Sequence, residues 1–266
     1  MKKVGLVAGG GIIPLEFIKA VKARGDRIVV FALEGMASGE IEALADKTYR
    51  VEVGKFLKYL FPLVWERMRK IAFLGKVEKN IIYDDRTYDS FSRKMSKGIK
   101  DRKDTTILEA ITKVLKIIGV EVMDTREYLS HLMPDKGVIG GLIPDKATAE
   151  DMEFGFRAAK KMSEMDIGQT VIVKGRTVVA VEAMEGTDAA IERGRKVAGE
   201  GCVMVKVSRP DQDYRWDVPA VGAETVRKLA ENGYKGLAVE SKRMYLVEKE
   251  EMVKLADEKG IAIVAV

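Results

Sequence analysis

The stretch VGLVAGGGIIPLEFIKAVK, Val4 to Lys22, decides the fold. Val4 to Ala8 is a short apolar run, long enough for one buried strand. Gly9, Gly10 and Gly11 break it, and from Pro14 to Lys22 the apolar residues fall at helical spacing. Pro14 suits a first helical turn, where its missing N–H costs nothing. A strand, a glycine turn and a helix in that order form the opening unit of an α/β layer. The glycines allow close backbone approach, and the amides of a following helix can meet phosphate. GGGxxP is not the GxGxxG fingerprint of a dinucleotide site, so a phosphate cradle and a tight turn without ligand both fit the turn itself.

Working outward, further strands are expected at Arg27 to Leu33, Tyr49 to Val53, Lys70 to Leu74 and Val120 to Met123. Helical patterns lie between them at Leu57 to Met68 and Ile107 to Ile118, and a short helix is expected at Thr125 to Leu132. This alternation predicts a Rossmann-like, largely parallel sheet over residues 1–132. Pro134, Gly137, Gly140, Gly141 and Pro144 then crowd a segment read as a linker, with the boundary near Leu132 to Pro134. Residues 133–266 form a second α/β domain. Its expected hairpin, Thr170 to Lys174 and Thr177 to Glu182 around Gly175-Arg176, makes its sheet mixed.

The chemistry concentrates between Asp166 and Gly222. An apolar strand stops at Glu182, and Glu185, Gly186, Thr187 and Asp188 lead into a helix, a usual place for anion or metal binding. After the run Cys202 to Val207, Asp211, Asp213 and Asp217 alternate with Arg209 and Arg215, with Lys206 upstream and Pro210 and Pro219 stiffening the backbone. Carboxylates at this density can hold a divalent cation, and the cations can meet phosphate oxygens. Taken separately, each segment also reads as an exposed turn with surface ion pairs.

Together the two segments resemble the LpxI family. The matching residues are Asp166, Gly168, Gln169, Ala180, Val181, Glu182, Glu185, Gly186, Thr187, Asp188, Arg193 and Gly194, then Lys206, Pro210, Gln212, Asp213, Arg215, Asp217, Pro219, Gly222 and Thr225. GGGIIPLEF, VGKFLKYL and DTTILEAI extend the resemblance through the first half. Asp101, Arg102, Lys103 and Asp104 depart from the family's paired aspartates, and Ser208-Arg209 replaces a lysine-containing version. The resemblance implies Mg²⁺-dependent hydrolysis of the pyrophosphate of UDP-2,3-diacylglucosamine, giving UMP and 2,3-diacylglucosamine 1-phosphate. On that reading Asp217, Asp213, Arg215 and Lys206 are catalytic, with Asp213 and Asp217 as metal ligands. Gly9, Gly10, Gly11, Gln169, Thr187 and Asp188 bind the acylated UDP-sugar. An enzyme of another class acting on nucleotide sugars, or a noncatalytic nucleotide-binding regulator, would share the glycine turn without needing the Asp213–Asp217 cluster.

Composition sets the outer limits. With 46 basic and 41 acidic residues the formal charge is only +5, which permits an anionic partner but argues against nucleic acid. Seven basic residues against three acidic ones between Arg86 and Asp104, interleaved with Tyr88, Phe91 and Met95, suit either a solvated helix or a surface for an anionic, acylated substrate or the phospholipid leaflet that contains it. The single cysteine, Cys202, forbids an intrachain disulfide and reads as a buried small hydrophobe. The sole histidine, His131, rules out a histidine-cluster metal site. No apolar run reaches a membrane span and the start turns glycine-rich too early for a signal peptide. The expectation is a cytoplasmic protein with at most peripheral contact with the anionic inner membrane, and a homodimer is admitted.

Overall fold

The computed structural model describes residues 1–77, 89, 104–216 and 218–266, with side chains omitted for 104–107. The basic stretch 86–103, Asp89 excepted, and Asp217 fall outside the described residues. Two compact units emerge, residues 1–130 with 213–217, and residues 131–212 with 218–266.

The first unit is an all-parallel five-stranded sheet in the order β3-β2-β1-β4-β5. Its strands are β1 (Lys3–Ala8), β2 (Arg27–Leu33), β3 (Lys47–Val51), β4 (Lys70–Leu74) and β5 (Glu121–Val122). β1 and β2 are buried along almost their whole length, as strands covered on both faces must be. Helices α1 (Ile13–Ala23), α2 (Gly39–Leu44), α3 (Phe56–Trp65) and α4 (Asp104–Ile117) supply the cover. The short α5 (Arg126–Leu129) continues into a 3-10 turn. Chain order reverses between β1 and β4, and such a switch point is where open α/β sheets bind ligands.

At that switch point the backbones are stapled together. Gly9 N donates to Leu74 O at 2.8 Å, Gly10 N to Lys76 O at 2.9 Å, and Lys76 N back to Gly10 O at 2.8 Å. A Cβ on Gly9 would lie 2.5 Å from Lys76 O, and one on Gly75 2.7 Å from the Gly9 carbonyl carbon. Gly11 differs, because its φ of 95° is the left-handed conformation and nothing lies within 4 Å of its would-be Cβ.

The second unit carries a mixed six-stranded sheet, order β6-β13-β11-β9-β7-β8. Its strands are β6 (Gly137–Ile139), β7 (Thr170–Lys174), β8 (Thr177–Val181), β9 (Val203–Lys206), β11 (Gly236–Val239) and β13 (Ala262–Ala265). A two-residue pair, β10 (Ala220–Val221) with β12 (Tyr245–Leu246), stands apart. The helices are α6 (Lys146–Glu164), α7 (Thr187–Ala198), α8 (Ala223–Glu231) and α9 (Lys249–Lys259). β6 lies in the segment expected to be a linker, where Gly137 to Ile139 pairs antiparallel with the edge of β13. Edge position tolerates the flanking glycines and prolines that argued against a strand. The hairpin turn Gly175-Arg176 has both φ values near +57°, and the buried Asp151 of α6 accepts both turn amides. α6 then lies close on the sheet, since a Cβ at Gly155 would come within 2.5 Å of Val205. Cys202 is fully buried in the core of this unit. Among the described residues, no helix is long and apolar enough to cross a membrane.

Gly9 and Gly10 therefore make different predictions. Gly9→Ala is expected to destabilise the fold by about 1–3 kcal/mol, because only backbone atoms could give way. Gly10→Ala, whose Cβ would rest 3.4 Å from Met36 O, should change it by less than about 1 kcal/mol. Urea-unfolding midpoints test this, and equal losses at both positions would show that the staple does not require Gly9.

Candidate active site

Within the second unit, one set of polar residues gathers where strands end. β7 runs antiparallel to both neighbours, so its start lies beside the ends of β8 and β9, with Thr170 opposite Lys206 and Glu182 N donating to Thr170 O at 2.8 Å. Gln169 O accepts Val207 N at 2.9 Å, which puts Gln169 on the same rim. A Cβ on Gly168 would meet Glu182 O at 2.0 Å, so glycine there is what lets Glu182 sit so close. Thr187, first residue of α7, joins the ends: it donates Oγ1 to Glu182 Oε1 at 2.7 Å and accepts from Lys206 Nζ at 3.0 Å. Glu182 Oε2 and Thr170 Oγ1 are buried without a hydrogen-bond partner among the described residues. The first amides of α7 have no carbonyl behind them, so the Lys206 ammonium stands beside a helix N-terminus.

The surrounding charges are committed elsewhere. Arg193 holds the β8–α7 loop, pairing with Glu185 at 2.8 Å and donating to Val181 O at 2.5 Å. Glu185 stays below the ordinary carboxylate range through backbone amide bonds, with Arg193 adding to the effect. Asp188 points away to Lys228 at 2.8 Å.

The residues that follow β9 are held by a buried carboxylate. Glu240, at the end of β11, pairs with Lys160 at 2.9 Å and accepts Ser208 N at 2.8 Å. Arg243 donates to the carbonyls of Arg209 at 2.6 Å and Pro210 at 2.9 Å.

Residues 213–217 belong to the first unit. Arg215 clasps Asp213 with its backbone N at 3.0 Å, Nε at 2.9 Å and Nη2 at 2.6 Å. That clasp holds the Asp213 carboxyl below the usual carboxylate range, so it is ionised at neutral pH. Asp124 and Arg126 repeat the arrangement, with Arg126 N at 2.9 Å and Nε at 3.0 Å from Asp124 Oδ1. The two D-x-R clasps are fastened together: Thr125 Oγ1 donates to Tyr214 O at 2.8 Å, and the Arg126 guanidinium lies 4.0 Å over the Tyr214 ring. Trp216 closes the strap, packing on Phe73 with ring centroids 5.1 Å apart. Among the described residues no group of three His, Cys, Asp or Glu side chains converges as a metal site. Asp213 has both oxygens on Arg215, and Asp217 lies outside the described residues. The described donors thus do not make up a Mg²⁺ site.

Two family models cover nearly the whole chain, the LpxI N-terminal domain over residues 3–132 and the LpxI C-terminal domain over residues 135–264. The chain belongs to the LpxI family. A curated relative, UDP-2,3-diacylglucosamine pyrophosphatase LpxI of Caulobacter vibrioides, is 27% identical over 286 residues that take in 100% of this chain and 98% of the relative. Two solved structures show a more distant likeness. The biotin carboxylase domain of a thermophilic 2-oxoglutarate carboxylase is 16% identical with a TM-score of 0.27, covering 74% of this chain and 32% of that one. N5-carboxyaminoimidazole ribonucleotide synthetase from Thermotoga maritima is 16% identical with a TM-score of 0.24, covering 65% and 38%. Scores this low say nothing about the LpxI fold.

Against the sequence reading, Lys206, Thr187 and Gln169 come together, and Asp213 and Arg215 come together in the other unit. Asp188 turns to Lys228, and two amides of the Gly9–Gly11 turn are spent on β4 and the residues just beyond it. The sequence reading missed Asp124, Thr125, Arg126, Lys160, Glu240 and Arg243. The repeated D-x-R at 124–126 and 213–215 was the one available signal.

The strap can be tested without substrate. With Trp65 replaced by phenylalanine, Trp216 is the sole tryptophan, and it is 6% exposed. Thr125→Val should shift its emission to the red and open it to acrylamide, while Thr125→Ser should leave both unchanged. Identical quenching in all three proteins would show that the Thr125 hydroxyl does not hold the strap.

Proposed function

We propose that this chain hydrolyses the pyrophosphate of UDP-2,3-diacylglucosamine, adding water across one P–O–P linkage to give UMP and 2,3-diacylglucosamine 1-phosphate. Family membership over nearly the full length supports the reaction class. The substrate is the one in the name of the Caulobacter vibrioides relative. The observation that carries the reading is Lys206 beside the first turn of α7, because an ammonium next to free helix amides suits the non-bridging oxygens of a diphosphate. Thr187 aims that ammonium, and Glu182 fixes the Thr187 hydroxyl as a donor. Arg215, oriented by Asp213, is assigned to stabilise phosphate charge.

Asp217 is assigned as the essential carboxylate, on the motif it shares with the family and on the restriction that Val218-Pro219 places on the backbone after it. The proposal includes Mg²⁺, which would neutralise phosphate charge when bound, with Asp217 as its expected ligand. Gly11, free of close neighbours, is the member of the glycine turn best suited to approach the nucleotide. The reaction is assigned to the cytoplasmic side of the inner membrane, where a diacylated nucleotide sugar presents its UDP head to water.

Incubation with the acylated UDP-sugar and identification of both products tests the assignment, and release of UDP or of an oxidised sugar would sink it. Asp217→Asn should cost turnover about a hundredfold or more at saturating substrate. Asp213→Asn should cost less, by loosening Arg215. Near-normal turnover in both variants would remove the acidic centre, and full activity in EDTA would remove Mg²⁺. The Asp213–Arg215 clasp adds a pH expectation. A carboxyl with a lowered folded pKa contributes stability that is complete above its ordinary value of about 3.9 and is lost as pH falls through the folded one. The clasp should therefore give no acid limb to the rate between about pH 5 and 8.

A further inference from the structure

We infer that the outward face of α3 seats this chain on an anionic lipid leaflet. The helix is apolar on both sides. Phe56, Tyr59, Pro62 and Leu63 face the core, and on the opposite face Leu57, Phe61, Val64 and Trp65 form a stripe at i, i+4, i+7 and i+8. That stripe is exposed by 47%, 72%, 62% and 70% respectively. The Phe61 and Trp65 rings stack at 6.0 Å, and with Val64 and Arg67 they line a shallow open depression. Large contiguous apolar patches on a folded surface mark partners, and Trp, Phe and Leu bordered by cations is the composition that enters a lipid headgroup region.

The border of the stripe selects lipid over protein. Arg67 and Arg69 are exposed and have no carboxylate partner among the described residues, whereas Glu66 turns inward to Lys3, Lys47 and Tyr49. Arg67 also occupies a position that costs stability. α3 ends in a Schellman motif, with Met68 N donating to Leu63 O and Arg67 N to Val64 O, and its left-handed residue is Arg67 at φ 51°. Glycine is the usual residue there, because an L side chain is strained in that conformation. The cation at this helix end stands beside the exposed aromatics, where an anionic surface that took up the stripe would meet it. The inference rests on the proposed function, whose diacyl substrate resides in a leaflet.

The test needs no substrate. Trp65 is the exposed one of only two tryptophans and so reports its own surroundings. On phosphatidylcholine vesicles with about one phosphatidylglycerol in three, its emission should move to the blue and be quenched by brominated acyl chains. The double variant Phe61→Ser, Val64→Ser should weaken vesicle binding by about tenfold or more. Arg67→Gly should raise the melting temperature and still bind anionic vesicles several-fold more weakly, a difference that fades with added salt. A merely structural Arg67 would give the first effect without the second. Absence of vesicle binding by the wild type, or equal binding by the double variant, overturns the inference. So does a concentration-dependent dimer that the double variant abolishes without any lipid effect, since a second copy would then cover the stripe. Hydrolysis of detergent-dispersed substrate, read separately, should be unchanged in the double variant. A protein that docks on vesicles but releases no UMP would refute the reaction and leave the docking intact.

Discussion

The Glu240 carboxylate is the constraint on which the order of the loop leaving β9 depends. It is almost fully buried, and a charge so placed is tolerated only where partners replace water. Lys160 from α6 and the Ser208 amide do so, and Arg243 Nε lies 3.5 Å away. Those contacts tie α6, β11 and the loop leaving β9 to one another. Removing the carboxylate would leave Lys160 with the Ser208 carbonyl and the Ser208 amide without its acceptor. It would also loosen Ser208, at the start of the chain that leads to Asp213. Besides the prolines, Arg243 orders this stretch, reaching across to hold the carbonyls of Arg209 and Pro210.

The glycines divide along a similar line between architecture and chemistry. Gly9, Gly75 and Gly168 each stand where backbone meets backbone too closely for a Cβ. Their role is to let strand ends converge, and the site follows from the convergence. Gly168 is the clearest instance: Glu182 can stand over Thr187 and Lys206 only because its carbonyl approaches a residue with no side chain. A glycine turn at a switch point is commonly read as a phosphate cradle, yet Gly9 and Gly10 direct their amides at Leu74 O and Lys76 O. Gly11 alone of the three keeps its would-be Cβ space clear.

Much of this was legible in the chain. β2, β4 and β7 carry the bounds expected from their apolar runs, because continuous burial leaves the end of such a run little choice. The Gly175-Arg176 turn was equally plain from its position between two such runs. β6 was hidden, since a three-residue edge strand among glycines and prolines has no periodicity to detect. The pairing of Lys206 with Thr187 depends on β7 running antiparallel beside β9, a matter of topology that local pattern does not encode. The splitting of 166–222 between two units was hidden for the same reason. Asp213 to Trp216 follow β9 in sequence but find their partners at Thr125, Arg126 and Phe73.

The paired D-x-R clasps bear on how the chain handles an anionic substrate. Each carboxylate binds its own arginine two residues on, so each guanidinium is oriented before any ligand arrives, and little side-chain entropy remains to be lost. The same pairing cancels most of each arginine's charge at a distance and leaves short, directed N–H bonds as what it can offer. Lys206 is held differently, its Nζ donating to the Thr187 hydroxyl at the start of α7. On the proposed function, the diphosphate is met by Lys206 beside the α7 N-terminus, where directed N–H groups and a cation adjoin.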